Sequence, residues 1–242
     1  MGGMSGGETI SVHFGRPIAL FPLERVALMP QQLLPLHIFE PRYRQMVDLA
    51  LDGAGQFAMA VFRGSRWRQE YHGRPPVMPA VCVGQIARHE KLEDGRYNIL
   101  VQGICRAKIA REIPPQDDHL FREAILEPVG ISPDDAGEIE ARLTPLRAHV
   151  QASLAEGPLR HLRDAQSILK FTRNPAVPTT ALMELLTAAV IEDGKLRYRL
   201  LEEGSPEVRA GILNEELAKL ERLIQRAELQ RADPPPKGCS WN

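Results

Sequence analysis

Arginines alternate with aromatic residues through RGSRWRQEYHGRPPVMP, from Arg63 to Pro79. Arg63, Arg66, Arg68 and Arg74 stand among Trp67, Tyr71 and His72, with Glu70 the one acid between them. Guanidinium groups beside flat rings have two chemical uses. They can stack on and neutralise single-stranded nucleic acid, or they can anchor a protein-binding surface, where Trp, Tyr and Arg are enriched. A third reading is purely structural: a local hairpin, with Trp67 and Tyr71 packed over a β core and the arginines solvated. All three stay open, and these seven residues are the partner-binding candidates.

A second dense stretch is LLPLHIFEPRYRQMV, which places His37, Glu40, Arg42, Tyr43 and Arg44 close together. Leu34, Leu36 and Ile38 alternate with Pro35, His37 and Phe39, the pattern of a strand with one apolar face. Glu40 precedes proline and is therefore extended, while Pro41 can open a helix. Tyr43, Met46, Val47, Ala50 and Leu51 then share one helical face that ends at Asp52-Gly53. The stretch reads as a strand-to-helix hinge, with Glu40 as a capping carboxylate near Arg44 and His37 as a satisfied strand histidine.

Other chemistry is weaker. His89-Glu90-x-x-Glu93 lacks the second histidine of a zinc-protease helix and leads into a turn. Asp117-Asp118-His119 follows Pro114-Pro115 and reads as an exposed connection. No serine sits in a Gly-x-Ser-x-Gly elbow, and none of the six lysines precedes Ser or Thr as a P-loop requires. No catalytic residue, metal ligand or cofactor is assigned, and the expectation is a protein that is not an enzyme.

Those residues need a scaffold, and 242 residues, 43% hydrophobic and 25% charged, are enough for one large or two small soluble domains. A net charge of −1 gives no global attraction to nucleic acid or an anionic membrane. No apolar run approaches the ~18 residues of a membrane span. Three cysteines without a C-x-x-C argue against a disulfide scaffold and for a reducing cytoplasm. Oligomeric state is not readable from the pattern.

Short strands are expected at Ile18–Leu23, Leu33–Phe39, Phe57–Phe62, Val81–Arg88, Tyr97–Ile109 and Arg122–Pro128. Asp94-Gly95 signals a type I′ hairpin, with Glu93 opposite Arg96. That register puts Cys82 and Cys105 on one inner face as small core filler, together with Gly84, Ile86, Ile99, Val101 and Ala107. A curled sheet or partly closed barrel is implied. From Ile131 onward the period becomes helical. Ser132-Pro133 opens a helix with the stripe Ile139, Leu143, Leu146, Val150 and Leu154, kinked at Pro145. Further helices are expected at Leu159–Phe171, from Thr179 (Leu182, Leu185, Leu186, Ala189, Val190) and over Leu196–Leu201. The last, after Ser205-Pro206, carries Leu213, Leu217, Leu220, Ile224 and Ala227. The organisation is α+β: a flexible leader (1–15), a β domain (16–130), a helical bundle (131–230) and a disordered tail (231–242).

The run IALFPLERVALMPQQLLPLHIFEPRYRQMV, followed by FAMAVFR and VGQIARHEKLEDGRYNILVQGICRAKI, resembles the N-terminal, substrate-binding domain of the Lon proteases. It is most similar to the free-standing bacterial versions, which lack the ATPase and peptidase domains. Gln31-Gln32 replace the glycines that the family usually has after the Met29-Pro30 position. The resemblance implies a PUA-like β pseudo-barrel with one packed helix, followed by a helical bundle. It also implies a non-enzymatic module that binds exposed or unfolded polypeptide, as an adaptor or holdase-like factor. The alternative is an RNA-binding PUA-like module using the Arg63–Arg74 segment, which the net charge argues against.

Overall fold

The computed structural model describes residues 10–24, 26–70, 73–115, 118–130 and 135–232, without the side chains of Arg66, Arg231 and Ala232. The expected helix start at Ser132-Pro133, the candidates Tyr71 and His72, and Asp117 lie outside the described residues, as do 1–9 of the leader and 233–242 of the tail. The chain divides into two compact units, residues up to 130 with 192–204, and 131–191 with 205 onward.

The first unit contains β1 (Ile18–Leu23), β2 (Leu33–Ile38), α1 (Pro41–Leu51), β3 (Gln56–Val61), β4 (Ala80–Lys91), β5 (Tyr97–Glu112) and β6 (Arg122–Val129). The 16-residue β5 organises the sheet, because it is long enough to pair with three strands. It lies along β4, its first part takes β2 at Tyr97–Gln102, and its second part takes β6 at Arg106–Glu112. Pairings run β5–β4–β3–β1–β6 and back to β5. The ring is not a cleanly closed barrel: β1 meets β6 over Ile18–Leu20 alone, and β5 shifts register against β4 and β6. Such shifts bend strands and let a sheet curl. β1 and β3 are parallel, so the chain must cross over between them, and β2 with α1 makes that crossing.

The hairpin differs from expectation by one residue. Lys91 pairs with Tyr97, Gly95 N–H donates to the Leu92 carbonyl at 2.9 Å, and Leu92 N–H donates to Arg96 at 2.8 Å. Only Gly95, at φ +78°, is left-handed in this turn. The connection is therefore a longer turn with a glycine bulge instead of a two-residue type I′ turn, which needs positive φ at both central residues. One residue of slip exchanges the faces. Val83 opposes Cys105 and Val81 opposes Ala107, and these four face the barrel interior with Leu20, Ala58, Phe62 and Leu126. Cys82 pairs with Arg106 and so lies on the opposite face from Cys105, a correction to the shared face expected above. Both remain free thiols, and burial pushes the Cys105 thiol up.

The outer side of β4–β5 is covered by Ala27, Leu28 and Met29, all buried. A Cβ at Gly103 would overlap the Met29 carbonyl oxygen, so that close approach requires glycine. The turn after Met29 is held by Gln31 N–H on the Gly103 carbonyl at 2.8 Å, and Gln31 itself sits at φ +66°. A side chain thus occupies a left-handed position that suits glycine. From the expected leader, Val12 and Phe14 pack against the barrel interior.

The helices are α2 (Ala136–Ala155), α3 (Ala165–Arg173), α4 (Thr179–Val190), α5 (Gly194–Glu202) and α6 (Pro206–Ala232). In the second unit all five stripe residues of α2 are buried, and the helix runs unbroken past Pro145. The single helix expected over Leu159–Phe171 is instead a 3-10 turn at Pro158–His161 followed by α3, because Leu162 is extended at ψ 142°. The buried face of α4 includes Met183, Glu184 and Thr187, while Ala189 is exposed, so it is rotated from the stripe read in sequence. Pro178 gives α4 no side-chain cap. Glu140 of α2 supplies one by accepting the Thr179 N–H at 2.7 Å, satisfying a donor that a helix start leaves open. Arg147 donates to the Thr179 hydroxyl at 2.8 Å and the Thr172 carbonyl at 2.9 Å, and also reaches the Val177 carbonyl.

α5 belongs to the first unit, although its sequence neighbours are bundle helices. The Tyr198 hydroxyl accepts the Ala80 N–H at 2.7 Å, and Arg106 Nε donates to the Leu200 carbonyl at 3.2 Å. Burial pushes the Tyr198 phenol up to about 12, against the lowering effect of the Ala80 bond. The N–H at the head of β4 is thereby satisfied by a neutral hydroxyl.

Candidate functional site: a braced apolar groove

The hinge read from sequence is present. Glu40 is extended at φ −69°, ψ 136°, Pro41 begins α1, and Tyr43, Met46 and Val47 are buried. Tyr43 packs edge-on against Phe21, with ring centroids 4.4 Å apart. Glu40 does not cap the helix with its side chain. Its carboxylate instead lies 2.9 Å from Arg42 Nη2. His37 Nδ1 is 2.8 Å from Asn98 Oδ1 across the strand pair.

Among the described candidates, Arg63, Trp67, Arg68 and Arg74 do not converge on one point. Trp67 is half-buried and stacks on Phe62, with ring centroids 4.9 Å apart and planes 2° from parallel. Arg68 ion-pairs with Glu24 at 3.0 Å while its side chain stays 68% exposed. Arg63 is exposed, and its N–H is held by the Pro76 carbonyl at 2.8 Å. With the Phe62–Val77 bridge, the segment is a loop tied at its base, Trp67 lying over the barrel. Arg74 is separate: Nη1 donates to the Ile113 carbonyl at 3.0 Å.

Arg74 and the hinge meet at a groove of about 610 Å³ in the first unit. Its base is Leu20, Pro22 and Phe62; one wall is Glu40–Tyr43, another is His119–Arg122, and Gly73–Pro75 with Pro115 forms the third. The lining is mainly aromatic, aliphatic and proline, with a few charged groups at its walls, the usual composition of a binding cleft. Leu120 projects here with 61% of its surface exposed.

The walls are cross-braced. Gln45 on α1 clamps the 118–120 segment from both sides of its amide, donating to the Asp118 carbonyl at 2.6 Å and accepting the Leu120 N–H at 2.8 Å. His119 Nδ1 lies 2.8 Å from Glu123 Oε2, and its ring stacks on Phe121 at 4.9 Å. Arg122 donates to both oxygens of Glu112, at 2.6 and 2.7 Å, and to the Pro75 carbonyl at 2.6 Å. A surface held in place before binding loses less entropy on binding. Among the described residues no group of three or more His, Cys, Asp or Glu side chains is placed to hold a metal. His89 and Glu90 lie exposed on β4, where Glu90 accepts from Asn98 at 3.1 Å.

Residues 17–219 match the family of the ATP-dependent protease La (LON) substrate-binding domain. The chain belongs to that family. It is 29% identical over 234 residues to Lon protease 2 of Syntrophobacter fumaroxidans, covering 93% of this chain and 28% of that protein. With the Lon protease of Trichlorobacter lovleyi it shares 27% over 221 residues, covering 89% and 25%. The chain thus spans about a quarter of the length of these relatives. In structure it resembles the N-terminal domain of a Mycobacterium avium complex Lon protease, with a TM-score of 0.60 at 17% identity over 84% of this chain and 98% of that one. A Lon N-terminal domain protein from Xanthomonas campestris aligns with a TM-score of 0.53 at 18% identity, over 83% and 98%. Both likenesses bear on fold. In the Lon substrate-binding fold of this chain, the described residues include no helix long and apolar enough to cross a membrane.

Gln45, Leu120, Phe121 and Arg122 were not singled out in the sequence. The available signal was slight: a glutamine on the polar face of α1, and an exposed leucine beside a β6 that begins with Phe121-Arg122.

Proposed function

We propose that this chain is a non-enzymatic, cytoplasmic polypeptide-binding module that holds exposed or unfolded segments in its groove, in an adaptor or holdase-like role. The observation that carries this reading is the cross-braced apolar groove with Leu120 exposed at its wall. Membership in a family described by substrate binding supports it. In this reading Arg63, Trp67 and Arg68 form a flanking surface, and among the described members of the candidate set Arg74 lines the groove itself. Burying one large apolar side chain is worth about 1.5–3 kcal/mol, so a few such contacts give micromolar binding after the cost of ordering the segment.

The test is fluorescence anisotropy with a labelled, permanently unfolded polypeptide and a labelled single-stranded RNA, each at low and near-physiological salt. Polypeptide binding should survive the salt change and weaken roughly tenfold in Leu120→Asp, which leaves the folded core untouched. Binding of RNA alone, falling steeply with salt as phosphate contacts require, would replace this reading with the nucleic-acid one.

A further inference from the structure

Among the described residues, the arginines that line the groove have a carboxylate partner except for Arg74. Glu40 and Arg42 neutralise each other at 2.9 Å. Arg122 is matched by Glu112 at 2.6 Å, and the His119 ring is engaged with Glu123, Nδ1 lying 2.8 Å from the carboxylate. Arg74 lines the same space, and its guanidinium contacts the Ile113 carbonyl at 3.0 Å, with no carboxylate beside it among the described residues. A guanidinium has five N–H donors in a planar fork suited to a carboxylate. One donor is engaged at Ile113, which orients the fork. The next residue, Pro75, is itself held by Arg122 at 2.6 Å. The cation thus lines the same groove as Phe62, Phe121 and Leu120, an apolar surface on which a bound chain would exclude water and strengthen a charge pair.

We propose that the groove selects polypeptide segments in which apolar residues are accompanied by a carboxylate, which Arg74 receives. This rests on the groove reading above and adds a charge rule to it. The carboxylate has two chemical sources, an Asp or Glu side chain or a free chain terminus, and Arg74 presents the same fork to both. A lysine at that position in the ligand would be repelled by Arg74.

Four labelled peptides with one apolar sequence test the rule by anisotropy. Three are amidated and carry a central Asp, Asn or Lys. The fourth carries the Asn with a free C-terminal carboxylate. Wild-type protein should bind the Asp peptide, the free-terminus peptide or both about tenfold more tightly than the amidated Asn peptide, and the Lys peptide least. In Arg74→Gln the preference for carboxylate peptides over the amidated Asn peptide should vanish, and Arg74→Glu should favour the Lys peptide. Thermal melting of each variant checks that the fold is intact. Equal binding of both carboxylate peptides and the amidated Asn peptide would overturn the charge rule and leave the groove reading standing. Persistence of the preference in Arg74→Gln would also overturn it. Failure of all four peptides to bind wild-type protein would overturn the groove reading itself.

Discussion

His37–Arg44 and Arg63–Arg74 both mix arginine with aromatic residues, and both reach the groove, yet they are held in different ways. In the first, every polar group sits against a strand-to-helix turn whose apolar side is core: Tyr43 is 5% exposed and Arg42 pairs with Glu40. In the second, Trp67 is drawn inward onto Phe62, while Arg68 remains mostly in solvent. Composition does not separate the two regions. The difference lies in backbone pairing: β2 is laddered along β5, whereas among the described residues the backbone of the 63–76 segment is joined across itself at its base, by Arg63 N–H on the Pro76 carbonyl. The lesson is that clusters of polar and aromatic residues must be judged by what fixes their backbone.

That contrast can be broken by substitution. Tyr43→Ala should cost about 3–5 kcal/mol in urea unfolding, because a large core ring is removed; a loss below about 1 kcal/mol would mean that the hinge is no more fixed than the loop. Trp67→Ala should cost about 1–2 kcal/mol, the value of a half-buried ring and one stacked pair. Gln31→Gly, at the turn entering β2, should raise stability by about 1 kcal/mol by relieving a left-handed side-chain position. A loss there would show that the Gln31 side chain does more than occupy the turn.

Charge substitutions should move stability least. Arg68→Ala removes a well-exposed ion pair and should change unfolding by less than about 1 kcal/mol. Asp48 on α1 sharpens the comparison through pH. Burial raises its pKa, but hydrogen bonds from Tyr97 and Lys91 and the charges of Lys91 and Arg44 prevail and hold it below the ordinary carboxylate value. Its contribution is therefore complete above the unfolded pKa of about 3.9 and disappears as pH falls through the lower folded value. After allowance for solvent screening it is below about 1 kcal/mol. The stability gap between wild type and Asp48→Asn should be larger at about pH 7 than at about pH 2.5. A gap independent of pH would assign the effect to packing.

Much of the fold was legible because its signals are local. All six strands lie within a few residues of their expected ranges, and the hinge needed only alternation, Glu40-Pro41 and a helical stripe. The hairpin register was not legible: Asp94-Gly95 fits both a two-residue turn and a longer one, and only pairing along the strands selects between them. The break at Leu162 and the rotation of α4 were hidden likewise, since apolar residues recur there on more than one face. Of the candidate site, the sequence singled out the hinge residues and Arg74. It missed Gln45 and Leu120–Arg122, and read His119 only as part of an exposed connection, because the partners in the clamp are 73 and 75 positions apart.

The sequence by itself determined the α+β order, the strand positions, the strand-to-helix hinge and the composition of the Arg63–Arg74 loop. These follow from periodicity and from the backbone restrictions of proline and glycine, which act over a few residues. Only the tertiary structure decided that β5 returns to β6 to complete the ring, that α5 joins the β unit, and that Arg74, among the described residues, lacks the carboxylate partner that Arg42 and Arg122 possess. Those outcomes depend on bulges, on satisfying buried donors such as the Ala80 N–H, and on side chains far apart in the chain. No local pattern encodes them.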